Sequence, residues 1–354
     1  MKEVINLPGP TAKIVDSRIP EPNDDQVLIQ VVVSGSNPKD WKVPDLVASG
    51  KVKMEMMLAA KDGLNQGDDI AGIVEKVGSN VVEFKPGDRV AAFHEMCTPG
   101  GSYAEYALAW SHTTFHLPKH TSFEEAATIP LAALTAAVSL YAHHRLPAPW
   151  APAQESIPLI VYGASTAVGS FAIKLARTSN IHPIIAVAGK GSHYVEGLLD
   201  RSKGDTIVDY RGGVEATVKG IKNGLEQAGH SFARHALDAV IIPQSAEALR
   251  ESVAPDGQID FILPNDLDVS PATKSVTSVG SVHKQPEFED NEVLGFMFSR
   301  YFTRALQLKN FSGHPYEIRP GGLEGVEEAL KDLKAGRASA TKYIFRIADT
   351  PGLA

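Results

Sequence analysis

VYGASTAVGSFAIKLAR, residues 161–177, reads as a strand entering a helix through a tight turn. The apolar run PLIVY ends at Gly163, and SFAIKLAR is amphipathic, with Phe171, Ile173, Leu175 and Ala176 apolar and Lys174 and Arg177 polar. A strand, a turn and a helix in that order are the context in which G-x-G-x-x-G carries a dinucleotide pyrophosphate. Counted back from Gly169, the three glycine positions hold Ala164, Thr166 and Gly169, with Gly163 just outside the window. Gly169 keeps the helix–strand packing function. Ser165 and Thr166 offer hydroxyls and N–H groups at a helix N-terminus, where anions are favoured.

The surroundings strengthen that reading. Downstream of residue 157, strand-like and helix-like segments alternate: HPIIAVAG then HYVEGLLDRSKG, DTIVDY then VEATVKGIKNGLEQAG, HALDAVI then SAEALRESV, and finally QIDFIL. Such a βα series implies a doubly wound parallel sheet and an α/β fold. The end of the second strand, AVAGKGSHY, has no acidic residue to bind a ribose 2′-OH. It carries Lys190, Ser192 and Tyr194 instead. These suit a 2′-phosphate and favour NADPH over NADH, the alternative for Lys190 being an ordinary loop lysine.

Upstream, the chain reads as short strands punctuated by glycine: VLIQVVVSG (27–35), IAGIVEKVG (70–78), FKPGDRVAAF (84–93) and GGSYAEYALA (100–109). This suggests a partly open β-barrel. SFEEAATIPLAALTAAVSLY (122–141) is expected to be helical, with Ser122 as N-cap and Glu124 and Glu125 in the first turn. After His283 the pattern loosens, leaving a late amphipathic helix in 323–336 and a strand in KYIFRI.

Composition narrows the function classes. The chain has 354 residues, enough for two domains, and 43% hydrophobic and 21% charged residues, ordinary for a soluble globular protein. A net charge of -8 argues against a nucleic-acid partner. Cys97 is the only cysteine, so no intramolecular disulfide forms and no zinc site has more than one thiolate. With no signal peptide and no run of ~20 apolar residues, the reading is a protein of a reducing, cytoplasmic compartment with no membrane partner.

The combination resembles the medium-chain dehydrogenase/reductase superfamily, in its zinc-free quinone reductase and enoyl reductase branch. GSNPKDWK (35–42) looks like that branch's NPxDxK segment, and GDDIAGIVEKVGSNVVEFKPGDRV (67–90) is similar to its long glycine-rich signature. GGSYAEYALA, AATIPLAALTA and VYGASTAVG follow in matching order over nearly the whole chain. The form of the turn most resembles fungal reductases, among them trans-acting enoyl reductases that work beside polyketide synthases. The resemblance implies a GroES-like β-barrel domain built from residues 1–122 and 284–354, and a Rossmann NADPH-binding domain over 123–283. It implies no metal. Where zinc relatives carry ligands this chain has Asn37 and Gly67-Asp68-Asp69, and HEMC (94–97) supplies only one Cys and one His. Without a metal to polarise an oxygen, conjugated double bonds and quinones are the expected hydride acceptors.

By the same resemblance, Lys39, Asp40, Trp41 and Lys42, Ser165, Thr166, Ala167 and Val168, Lys190, Ser192, Tyr210, Leu263, Pro264 and Tyr343 are positions expected to touch NADPH. Lys42 and Thr135 are the candidate catalytic residues. Lys42 either bonds the ribose or steadies an enolate, unless it only positions the cofactor or faces solvent. Thr135 either bonds substrate or returns its hydroxyl to the preceding turn. GFMFSRY (295–301) is a substrate wall or a core helix. Three functions remain open: a reductase of small-molecule enones, enoyl thioesters or quinones; a trans-acting enoyl reductase serving a polyketide synthase; and an idle NADPH binder. Monomer and homodimer are both open.

Overall fold

The computed structural model describes residues 1–51, 55–283, 285 and 289–353. Two compact units are present, one of Met1–Leu131 with Gly280–Ala354, the other Ala132–Val279.

The first unit opens with an antiparallel hairpin of β1 (Lys2–Leu7) and β2 (Thr11–Asp16). It continues through β3 (Gln26–Gly35), β4 (Asp69–Val77), β5 (Arg89–Phe93), β6 (Tyr106–Trp110) and β7 (Thr114–His116). The helix Lys39–Ala48 follows β3.

The second unit holds β8 (Leu159–Tyr162), β9 (Ile184–Ala188), β10 (Thr206–Asp209), β11 (Ala233–Asp238), β12 (Val253–Phe261) and β13 (Thr273–Val276). All pair in parallel, in the order β10-β9-β8-β11-β12-β13. That is the doubly wound order, reversing direction beside β8. β8 and β9 are unbroken apolar runs, and every residue in them is buried, as strands covered on both faces require. Ile160, Ile185, Val187, Ile221, Leu225, Leu249, Ile259 and Phe261 share one core.

The chain then returns to the first unit with β14 (Tyr316–Ile318) and β15 (Lys342–Arg346). These complete a seven-stranded mixed sheet, β14-β15-β3-β4-β5-β7, with β6 pairing β3. Val27, Ile29, Val31, Ile70, Val74, Val90, Tyr103, Leu330 and Phe345 form its core. Each fully buried aliphatic or aromatic side chain contributes about 1.5–3 kcal/mol.

Three expectations are corrected. Residues 122–141 are not one helix. Ser122 caps a short helix, accepting from Glu125 N at 3.1 Å, but that helix stops at Ala126 and a new one starts at Pro130. Proline fits the first position of a helix and not its interior, so it marks the restart. The helix expected over 193–204 is confined to Ser192–Glu196, and Asp200 then caps a short 3₁₀ turn. The strand expected over 100–109 begins only at Tyr106, because residues 102–105 make isolated backbone bonds to Gly67, to Lys2 and Val4 of β1 and to Val31 of β3 instead of continuing one ladder.

Candidate active site

In the second unit, the predicted nucleotide positions gather at one edge of the sheet. Ser165–Val168 follow β8, Lys190 and Ser192 follow β9, Tyr210 follows β10, and Leu263 and Pro264 follow β12. All stand at carboxyl ends of parallel strands, where doubly wound sheets take ligands. Gly163 has φ +80°, and a Cβ there would stand 2.5 Å from Val240. A Cβ on Gly169 would stand 2.3 Å from the Gly163 carbonyl oxygen. Both positions exclude larger residues, so the turn keeps a close helix–strand approach with one glycine of the fingerprint and one beside it.

Thr166 has a more local task than its hydroxyl suggested. It is the N-cap of the helix Ala167–Thr178, its oxygen accepting from Gly169 N at 3.0 Å. The N–H groups of Ala167 and Val168 are first-turn donors without intrahelical acceptors. Such donors and the positive helix end favour an anion at this position. Lys190 is exposed, Ser192 opens the next helix, and no carboxylate stands on the segment between β9 and that helix. Tyr210 is 42% exposed, its ring beside Gly189 and 6.2 Å from that of Tyr162. Leu263 and Pro264 are exposed. Thr135, on the helix Pro130–Ala137, is buried. These residues fit a nicotinamide dinucleotide: an N–H cradle for pyrophosphate, an exposed aromatic face for a base, and a cation with a hydroxyl for a phosphorylated ribose.

In the first unit, the helix Lys39–Ala48 carries the other predicted positions. Asp40 faces inward and is fully buried; its Oδ2 accepts from Tyr103 Oη at 2.6 Å and from Asn37 N at 2.7 Å. Tyr343 also faces inward, with its ring in the core under the Arg319 guanidinium. Trp41 packs on the same core, with the ammonium groups of Lys334 and Lys42 at 5.2 and 5.7 Å from its ring. Lys42 is half-buried, and burial lowers its pKa. It has no carboxylate partner among the described residues. An ammonium drawn from water without a carboxylate is the kind of group functional sites retain.

Behind these lies an arrangement that motif reading did not reveal. β15 pairs β3 with Ile344 opposite Gly35, and β3 pairs β4 with Gly35 opposite Asp69. These registers bring Lys342, Asn37 and Asp69 together. Lys342 Nζ donates to Asp69 Oδ2 at 2.5 Å and Asn37 Oδ1 at 3.0 Å. Asn37 Nδ2 donates to Asp69 Oδ2 at 2.6 Å, and Leu131 N to Asp69 Oδ1 at 2.7 Å. Beside them, Lys39 Nζ lies 2.5 Å from Asp68 Oδ2 and donates to the Gln66 carbonyl at 2.6 Å. Burial raises the pKa of Asp68 and Asp40 above the usual carboxylate range, against the pull of Lys39. Lys39 is also drawn down by burial, but Asp68 and Asp40 hold its pKa above the ordinary value.

This donor set does not fit a catalytic zinc. Asn37 and Asp68 stand at the ligand positions, and ammonium groups already neutralise Asp68 and Asp69. Metal ligation needs several deprotonated donors converging on one empty point. The only local hint in the sequence was the adjacent pair Asp68-Asp69 at the start of a buried strand, which demands cations from somewhere.

Residues 23–119 match the alcohol dehydrogenase GroES-like domain. A trans-enoyl reductase of Gibberella fujikuroi is 45% identical over 92% of this chain and 92% of its own length. An alcohol dehydrogenase superfamily protein from Novosphingobium aromaticivorans superposes with TM-score 0.77 at 21% identity, covering 98% of this chain and 99% of that one. The CurK enoyl reductase superposes with TM-score 0.76 at 18% identity, covering 97% and 98%. These two likenesses show the fold.

Proposed function

This chain belongs to the medium-chain dehydrogenase/reductase superfamily, in its zinc-free enoyl reductase branch, and from that premise we propose that it is an NADPH-dependent enoyl reductase serving a polyketide synthase. Its substrate on this reading is an α,β-unsaturated thioester presented on the synthase's carrier domain. The bound nucleotide supplies a hydride to the β-carbon. The chain's own residues do the rest. By the resemblance, Ala167 and Val168 would hold the pyrophosphate and Tyr210 would cover the adenine, while Lys42 would donate to the ribose or to the oxygen that gains charge as the double bond is reduced. Thr135 stands where the resemblance puts a polar group near the nicotinamide and substrate.

The observation that carries the choice of NADPH is the end of β9. An exposed Lys190 and a half-buried Ser192 stand there with no carboxylate on the segment between β9 and the next helix. An acidic group would repel a 2′-phosphate, whereas a lysine attracts it. Replacing Lys190 by glutamate is therefore expected to raise the KM for NADPH by about 10–100-fold, the equivalent of about 1.4–2.8 kcal/mol, while leaving the KM for NADH within about threefold. Steady-state kinetics with both nucleotides checks it, and equal effects on the two would count against a role at the 2′-phosphate. The partner is tested by comparing a free enoyl thioester with the same acyl group on a carrier domain. Higher kcat/KM on the carrier-bound form is the expected result.

A further inference from the structure

Lys39 and Lys42 are three residues apart in the helix Lys39–Ala48 and so share one face of it. Lys39 is at the first helical position, where the helix's own dipole repels a cation. Local rules broken in this way mark sites kept for function rather than stability.

The surroundings of Lys39 explain how the cation is held. Its ammonium has three protons. One donates to the Gln66 carbonyl at 2.6 Å, and the side of the ammonium that faces Asp68 Oδ2, an ionic contact at 2.5 Å, takes up a second. For the third, the next oxygens are Gln66 Oε1 at 3.4 Å and Asp40 Oδ1 at 3.5 Å, both too far for a strong bond. Lys342, the other ammonium of the cluster, is sealed at 3% exposure and engages Asp69 and Asn37. The Lys39 side chain is 13% exposed, so a small group can reach it. Asp68 is fully buried, and neither of its oxygens has a hydrogen-bond partner among the described residues, so its contact with Lys39 is an ion pair. The carboxylate is committed to Lys39 and to nothing else.

We propose that Lys39, pinned by Asp68, is a second catalytic donor beside Lys42, giving its spare N–H to the carbonyl oxygen of the substrate thioester. This rests on the enoyl reductase reading above. In the step concerned, hydride forms a C–H bond at the β-carbon and the C=C π pair shifts toward the carbonyl. The negative charge gathers on oxygen against the Lys39 ammonium, and a proton from water then forms the C–H bond at the α-carbon. The nicotinamide is oxidised and the alkene reduced. Lys39 keeps its proton throughout. Asp68 is a positioning residue, fixing the ammonium without touching substrate.

The test uses the full chain with NADPH and the crotonyl thioester of N-acetylcysteamine. Four proteins are compared: wild type, Lys39→Met, Lys39→Arg, and Lys39→Met with Asp68→Asn. The double variant removes the Lys39–Asp68 pair as a unit, and Asp40, which also loses the Lys39 charge, keeps Tyr103 Oη and Asn37 N as donors, so the comparison separates the loss of a donor from the loss of the fold. Turnover is expected to fall about 10²–10³-fold in Lys39→Met and equally in the double variant, the usual cost of one lost oxyanion donor. NADPH affinity, read by fluorescence titration, is expected to stay within about threefold, and the double variant to melt above Lys39→Met, since it removes the Asp68 charge that the single variant strands. Lys39→Arg is expected to recover part of the rate.

A folded, NADPH-binding double variant that turns over like wild type overturns the proposal. So does weakened NADPH binding with kcat intact, which would make Lys39 a cofactor lysine. A wild type that binds NADPH but reduces no enoyl thioester sinks the enoyl reductase reading, and this inference with it.

Discussion

Replacing Lys342 by methionine is expected to destabilise the first unit by about 3–5 kcal/mol, the usual cost of stripping one partner from a buried ion pair. Asp69 would keep Asn37 Nδ2 and Leu131 N as donors but lose the only full positive charge that touches it among the described residues. It is fully buried and has no water to turn to. A neutral partner change should undo most of the damage. Lys342→Met combined with Asp69→Asn keeps an acceptor for Leu131 N and removes the charge, so its melting temperature should return toward wild type. Calorimetry on the three proteins decides it. A single variant that melts like wild type would mean the pair contributes no net stability.

Replacing Lys42 by methionine should do the reverse, costing activity and sparing stability. Lys42 has no carboxylate partner among the described residues, and burial already disfavours its charge. Methionine keeps most of the stem against Trp41. The expected change in kcat/KM with an enoyl thioester is a fall of about 10²–10³-fold, with stability altered by less than about 0.5 kcal/mol. Kinetics and a thermal melt on one preparation provide both readings. If kcat holds and the KM for NADPH rises, Lys42 acts on the cofactor ribose. A rate within about twofold of wild type would leave it a lysine resting on an indole.

The two variants differ because one lysine is a structural counter-ion and the other is not, and that distinction was only half legible in the sequence. The strand–turn–helix at Gly163 and the βα series after it were readable because burial on both faces produces unbroken apolar strands. The positions at the strand ends followed from that order. Lys42 stood out by its motif. Lys342 did not, because its partners Asn37 and Asp69 lie 305 and 273 residues away in sequence and meet it only through the registers of β15, β3 and β4.

Other features escaped for local reasons. The β1–β2 hairpin is only partly buried, so its apolar alternation is weak. The break before Pro130 lay inside a run so apolar that helical period alone could not punctuate it. Asp40 and Tyr343 sit in or beside segments that resemble cofactor-binding motifs, yet both face the core. Motif position says which strand end or helix a residue occupies. It does not say which way the side chain points.

The measurement that bears most directly on the account is the initial rate at which the purified protein reduces an enoyl thioester, with NADPH in one cuvette and NADH in the other. The account predicts saturable reduction with NADPH, and kcat/KM for NADH lower by at least about tenfold, a difference of about 1.4 kcal/mol. Equal or better use of NADH would contradict the reading of Lys190 and Ser192. Failure to bind either nucleotide would contradict the reading of the turn from Gly163 to Gly169, on which the function rests.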